Sequence, residues 1–228
     1  MNDKVFVITG ASSGIGAATA RSAVEAGHRV ALAARSLDRL EALAGELGGP
    51  EHAIAVRCDV TEWDDQQALA ERALEAFGRI DVAFANAGFG AVRGFLNESP
   101  EHWRSMILTN VYGAALTARA TIPALEDSRG HLLFTGSVAG HVVVPGSIYA
   151  TTKHAVRAMA EAARRDLHGS GVRVTLISPG NVDTPFFENT PQVALRSDDV
   201  AAAVLYAVSQ PDHVNVNEVL LRDTGQEI

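Results

Sequence analysis

Cysteine is almost absent: Cys58 is the only one in 228 residues. No disulfide can close within the chain, and no thiolate metal site can be assembled from it. The eight histidines show no H-E-x-x-H or comparable ligand spacing, so no metal is expected. No apolar run approaches the ~18 residues that a membrane-crossing helix needs. Residues 1–4 lead straight into an apolar stretch without signal-peptide architecture, so the expectation is a soluble, cytoplasmic protein. Positive charge is also scarce. Nineteen Lys plus Arg stand against 27 Asp plus Glu, and the net charge of −8 argues against nucleic acid or an anionic membrane as partner. Hydrophobic residues, at 47%, are plentiful enough for a sizeable core. Without repeats, low-complexity linkers or shifts of composition, residues 1–228 read as a single domain.

Apolar runs alternate with helical patterns along the chain. Strands are expected at residues 5–9, 30–34, 53–57, 80–85, 131–135, 172–177 and 218–221. Between them lie helices opening at the glycine-rich turn and running to about residue 26, then at 37–47, 61–77 (Thr61 as cap), 100–125 (Ser99 as cap, Pro100 first), from Tyr149 onward, and at 198–209. Such alternation implies right-handed β-α-β crossovers. The predicted fold is a doubly wound α/β domain with a mostly parallel, seven-stranded sheet and helices on both faces. Ligands of such sheets bind outside the carboxyl ends of the strands. Gly10, Arg35, Asp59, Asn86, Ser137 and Pro179 all follow strand ends.

Tyr149 and Lys153 are four residues apart at the start of a helix, hence on one face. A phenol titrates at ~10 and needs a fixed positive charge to exchange protons near neutrality. A unit charge at ~4 Å and an effective dielectric of ~20 is worth roughly 4 kcal/mol, or about three pKa units. Thr9-Gly10-Ala11-Ser12-Ser13-Gly14-Ile15-Gly16 follows the first strand and opens a helix. Its glycines allow a tight turn that aims backbone N–H groups at a pyrophosphate.

Together the T-G-x-x-x-G-x-G turn and the Y-x-x-x-K pair resemble the short-chain dehydrogenase/reductase family. The resemblance spans nearly the whole chain. Asn86-Ala87-Gly88 is similar to the family's N-A-G, Asp59-Val60 to the pair bracketing adenine, and Pro179-Gly180-Asn181-Val182-Asp183-Thr184 to its P-G-x-[VI]-x-T. It implies a Rossmann-type domain in which Gly10, Ser12, Ser13, Gly14, Ile15, Gly16, Asp59, Val60, Asn86, Ala87, Gly88, Pro179, Gly180, Val182 and Thr184 contact a nicotinamide cofactor. Tyr149 would be the acid and base, and Lys153 would lower its pKa and hold the cofactor ribose. Ser137 would bind the oxygen of a small alcohol or carbonyl substrate, and Asn110 would hold a relay water. The family also implies a homo-oligomer, dimer or tetramer, joined through the Ala-rich Asn110 and Tyr149 helices.

The second strand ends Ala34-Arg35-Ser36, without the acid that would hold a ribose 2′-hydroxyl. A guanidinium pairs with a 2′-phosphate instead, so Arg35, with Ser36 and Ser13, points to NADP(H). Phe89, Val92, Val138, His141, Val142, Val143, Phe186 and Phe187 suggest a partly apolar substrate pocket. The short segment 181–196 suggests an open site for small polar carbonyls, or a substrate presented by a larger partner. Residues 214–226 resemble family members that oxidise serine and other 3-hydroxy acids, with Asp223 in place of their proline. The expected activity is alcohol–carbonyl interconversion. The alternatives are a 3-hydroxy acid dehydrogenase and an NADP(H) sensor without turnover.

Overall fold

A computed structural model describes residues 3–187 and 191–227. Residues 188–190, which fall within the expected substrate segment, lie outside the described residues, as do the first two residues and the last.

Strand β1 (Val5–Thr9) is fully buried, as its unbroken apolar run predicts for a strand covered on both faces. It is followed by α1 (Gly14–Glu25), β2 (Arg29–Ala34), α2 (Leu37–Glu46), β3 (Ala53–Arg57), α3 (Trp63–Phe77) and β4 (Val82–Ala85). The second half runs α4 (Pro100–Ile107), α5 (Ala114–Ser128), β5 (His131–Thr135), α6 (Ile148–Asp166), β6 (Arg173–Pro179), β7 (Val182–Asp183), β8 (Leu195–Arg196), α7 (Ser197–Ser209) and β9 (Glu218–Leu221).

Seven strands form one sheet in the order β3-β2-β1-β4-β5-β6-β9, and every neighbouring pair is parallel. Because the side chains of a strand alternate between faces, each strand feeds two cores. Val7, Ala31, Ala83, Leu132 and Phe134 pack with α3, α5 and α6 on one face. Phe6, Ile8, Val30, Phe84 and Leu133 pack with α1, α2 and α7 on the other. The strand order reverses between β1 and β4, which opens a crevice at the carboxyl ends of those strands.

Two expectations change. Thr61 does not cap α3. Asp59 Oδ1 accepts from both the Thr61 backbone N–H (3.0 Å) and its hydroxyl (2.8 Å), and this local turn delays the helix to Trp63. The single helix expected over 100–125 is interrupted by a π-helical turn, Leu108–Gly113, which contains Asn110. Ser99 does cap its start, accepting from the His102 N–H at 3.1 Å.

Candidate active site

A cleft of about 1140 Å³ runs along the carboxyl ends of the sheet. Every expected cofactor-binding and catalytic residue lines it except Gly16 and Asn110, which lie just behind its wall.

At one end, the turn after β1 carries the chain against β4. Gly10 has φ +67°, and a Cβ there would lie 2.9 Å from the Ala87 Cα. Gly16 packs so closely on the Gly10 carbonyl and Ala11 that no side chain fits. Asn86 fastens the turn from the other side, donating to the Thr9 carbonyl (3.0 Å) while its N–H reaches the Thr9 hydroxyl (3.0 Å). The α1 N-terminus then faces the cleft with no side-chain cap from Ser13 and no acid in its first turn. Its unsatisfied N–H groups and positive dipole end form a ready anion site. The helices α3 and α7 instead begin with Asp64-Asp65 and Asp198-Asp199.

Arg35 and Ser36 line the same end, and Ser36 begins α2 without using its hydroxyl as a cap. Burial would raise the Asp59 carboxyl, but the Thr61 hydrogen bonds and the positive charges of Arg35 and Arg57 outweigh it and hold it below its ordinary value. The residues therefore fit a phosphorylated dinucleotide: a pyrophosphate at α1, and a further anionic group between Arg35 and Ser36.

At the other end stand the residues expected to be catalytic. Ser147 caps α6 by accepting from the Ala150 N–H at 3.1 Å, which sets Tyr149 and Lys153 on the cleft face of the first turns. Lys153 is 5% exposed, and its ammonium donates to the Thr135 carbonyl at 2.8 Å. An ammonium has three donors, so two remain for a ligand. Burial, with no acid to offset it, lowers Lys153 to about 8. Burial also pushes the Tyr149 phenol up to about 12, against a hydrogen bond with Ser137 that pulls it down.

The lysine ammonium lies 5.6 Å from the centre of the tyrosine ring. From there its charge is not among the causes that set the phenol, which burial raises and the Ser137 hydrogen bond lowers. The net lowering of Tyr149 expected from the Y-x-x-x-K spacing is therefore absent from the ligand-free chain, because the sequence does not disclose how deeply the phenol is buried.

Ser137 follows β5; its oxygen accepts from the Ala139 N–H at 3.1 Å, and its hydroxyl hydrogen-bonds the Tyr149 phenol. Asn110 sits behind the wall. Its carboxamide accepts from the Phe89 N–H (3.0 Å) and donates to the Phe89 carbonyl (2.9 Å) and the Thr152 hydroxyl (3.1 Å). Both amide donors are used, so its side chain braces the loop after β4.

Several site residues escaped the sequence reading. Thr135 anchors Lys153 through its carbonyl and Asn86 through its hydroxyl (3.0 Å), joining both ends of the cleft. Gln226, from the C-terminal tail, enters the cleft and accepts from the Asn181 N–H at 2.8 Å. Arg93 lines the wall on the loop after β4. A T-G-x-x-x-G-x-G turn carries a local signal; these three depend on contacts between distant segments and carry none. His141, considered for a substrate contact, instead pairs with Glu218 of β9 at 2.7 Å. Among the described residues no cluster is suited to a metal, and no helix is long and apolar enough to cross a membrane.

Residues 4–194 match the family model of short chain dehydrogenases. An uncharacterized oxidoreductase of Staphylococcus saprophyticus is 38% identical over 244 residues, covering 100% of this chain and 99% of its own length. Among solved structures, an alcohol dehydrogenase from the archaeon Thermococcus sibiricus, complexed with 5-hydroxy-NADP, superposes with a TM-score of 0.92 at 34% identity, covering 100% of this chain and 99% of that one. Serine dehydrogenase from Escherichia coli gives a TM-score of 0.89 at 32% identity, over 98% and 100% of the two chains.

Proposed function

The chain belongs to the short-chain dehydrogenase family of oxidoreductases, which use a nicotinamide cofactor, and from that premise we propose that it interconverts an alcohol and a carbonyl with NADP(H). The observation that carries the proposal is the Tyr149–Ser137–Lys153 group at one end of a cleft whose other end offers the uncapped α1 N-terminus and Arg35.

When bound, the nicotinamide supplies or accepts the hydride. The chain's own residues manage the proton and the oxygen. In reduction, Tyr149 is protonated across the neutral range and donates its phenolic proton to the carbonyl oxygen. Ser137, which hydrogen-bonds the Tyr149 phenol and accepts from the Ala139 N–H, would donate its hydroxyl proton to that same oxygen and stabilise the charge developing there. Lys153 spends one donor on Thr135 and offers the other two to ribose hydroxyls. The relay role expected of Asn110 falls to its main-chain carbonyl in the π turn, since the amide donors are engaged. Arg35 supports a preference for NADPH over NADH by pairing with the 2′-phosphate.

A second reading, a 3-hydroxy acid dehydrogenase, is favoured by one observation. Arg93 lines the cleft, whereas the only acid among its described lining residues is Asp59, beside Arg35. A substrate carboxylate would meet a cation there. A homo-oligomer, dimer or tetramer, is part of the same proposal, supported by the exposed Ile107 and Tyr112 on the Asn110 helix.

Following NADPH absorbance across aldehydes, simple ketones and β-keto acids separates these readings. Turnover of ketones supports the first, and a preference for β-keto acids that Arg93→Ala removes supports the second. NADPH binding with no turnover anywhere would leave the sensor.

A further inference from the structure

Gly90 lies on the loop after β4, and its φ is not positive, so its backbone conformation is open to any residue. Space is the reason for a glycine. A Cβ there would lie 2.6 Å from Cζ and 3.0 Å from Cε1 of Phe186. On its other side the Phe186 ring meets Tyr149 edge-on, with 5.4 Å between ring centres and an interplanar angle of 62°. One phenylalanine therefore bridges the cleft from the Gly90 wall to the tyrosine that would handle the substrate oxygen.

The two sides of this bridge are held differently. The Gly90 carbonyl is 3.0 Å from His102 Nε2, and both backbone groups of the preceding Phe89 are bound by Asn110. The Phe89 ring also packs edge-on against His102, with centres 5.3 Å apart. Phe186 rests on a short turn, in which its N–H reaches the Thr184 hydroxyl at 3.3 Å, and its ring is 39% exposed. The wall is braced by hydrogen bonds, whereas the partly exposed Phe186 ring is held by ring contacts alone, to Tyr149 and edge-on to Phe187 with centres 4.9 Å apart.

We propose that Phe186, seated on Gly90, is the specificity-determining residue of this cleft and restricts it to compact carbonyl substrates. The ligand's identity rests on the alcohol–carbonyl reading above. Phe186 thus places one ring in the site, where the length of segment 181–196 alone suggested an open one. A compact aliphatic chain passes beneath the ring. A bulky aryl group at the reacting carbon must displace the ring from Gly90.

The test compares pentan-3-one with 1-phenylpropan-1-one, both as kcat/KM with NADPH and as affinity for the NADP+-loaded protein by saturation-transfer NMR. Phe186→Ala is expected to raise the phenyl-to-ethyl preference at least tenfold in binding, and Phe186→Leu to raise it by less. Gly90→Ala, which unseats the ring, is expected to move the preference the same way. In a Gly90→Ala/Phe186→Ala double variant the glycine substitution should add nothing, because the nearest atoms an added Cβ meets belong to that ring. A preference unchanged within twofold in Phe186→Ala overturns the proposal. So does a Gly90→Ala effect that persists undiminished without Phe186. If the binding preference shifts as expected while no variant turns over any carbonyl, the gate stands and the oxidoreductase reading falls.

Discussion

Three side chains decide most of the chemistry, and each has a separate expected signature. Lys153 holds its proton less tightly when folded, at about 8 against 10.5 for a free lysine. Below pH 8 both states are protonated and the cost of burying the charge is fully present. Between about 8 and 10.5 the unfolded chain binds more protons, so stability rises with pH. Tyr149, raised from 10 to about 12, acts in the opposite sense only above pH 10. Denaturant unfolding of the cofactor-free protein should show the rise between pH 8 and 10, and Lys153→Met should flatten it while being no less stable than wild type at pH 7. A variant less stable than wild type at pH 7 would show that the buried ammonium is well satisfied. Arg35→Ala should lower the NADPH-to-NADH ratio of kcat/KM at least tenfold, since a charge-assisted bidentate pair contributes ~1.5–3 kcal/mol. The wild-type preference should also fall with added salt. Equal use of both cofactors by the wild type would contradict the assignment. That Arg35 stands at the cleft could be read from one strand end, a local fact. The pKa of Tyr149 could not, because it depends on burial by residues remote in sequence.

At the scale of elements, the interruption between α4 and α5 is the feature that hydrophobic periodicity conceals. One residue inserted in a helical turn leaves the apolar pattern readable as a single helix, as residues 100–125 show. The π turn places Asn110 where it ties the Phe89 backbone to Thr152 of α6. Asn110→Ala breaks three hydrogen bonds, one buried and two partly buried, and leaves both backbone groups of Phe89 without it. The expected loss is roughly 2–4 kcal/mol, read as a lower denaturant midpoint. Turnover should fall further than the lost stability explains, because the same loop carries Gly90 and Arg93. A midpoint within experimental error of wild type would mean that water replaces the amide without penalty. Strands β1, β3, β5 and β9 fall where their apolar runs place them, since burial on both faces leaves few polar interruptions. The start of α3 differs because Asp59 captures Thr61.

For the whole molecule, the alternation of strands and helices foretold a parallel sheet with a crevice at its carboxyl edge, and seven parallel strands in one sheet form it. What no pattern foretold is how distant segments meet across that crevice: Gln226 on Asn181, Phe186 on Gly90, Thr135 between Asn86 and Lys153. A ligand filling such a cleft stabilises the folded state by mass action. At one hundred times its dissociation constant NADPH adds ~2.7 kcal/mol, or a rise in Tm of about 5–10 °C for a chain of this size. NADH at the same concentration should give a smaller rise. The central claim is that this cleft binds NADPH and that the Tyr149 phenol carries the proton. Its most direct test titrates NADPH by fluorescence into wild type and Tyr149→Phe, then adds the best carbonyl substrate to the same samples. Matching binding curves, with turnover reduced at least a thousandfold in the variant, are expected. Undiminished turnover without the phenol would contradict the assignment, and so would a failure of the wild type to bind NADPH.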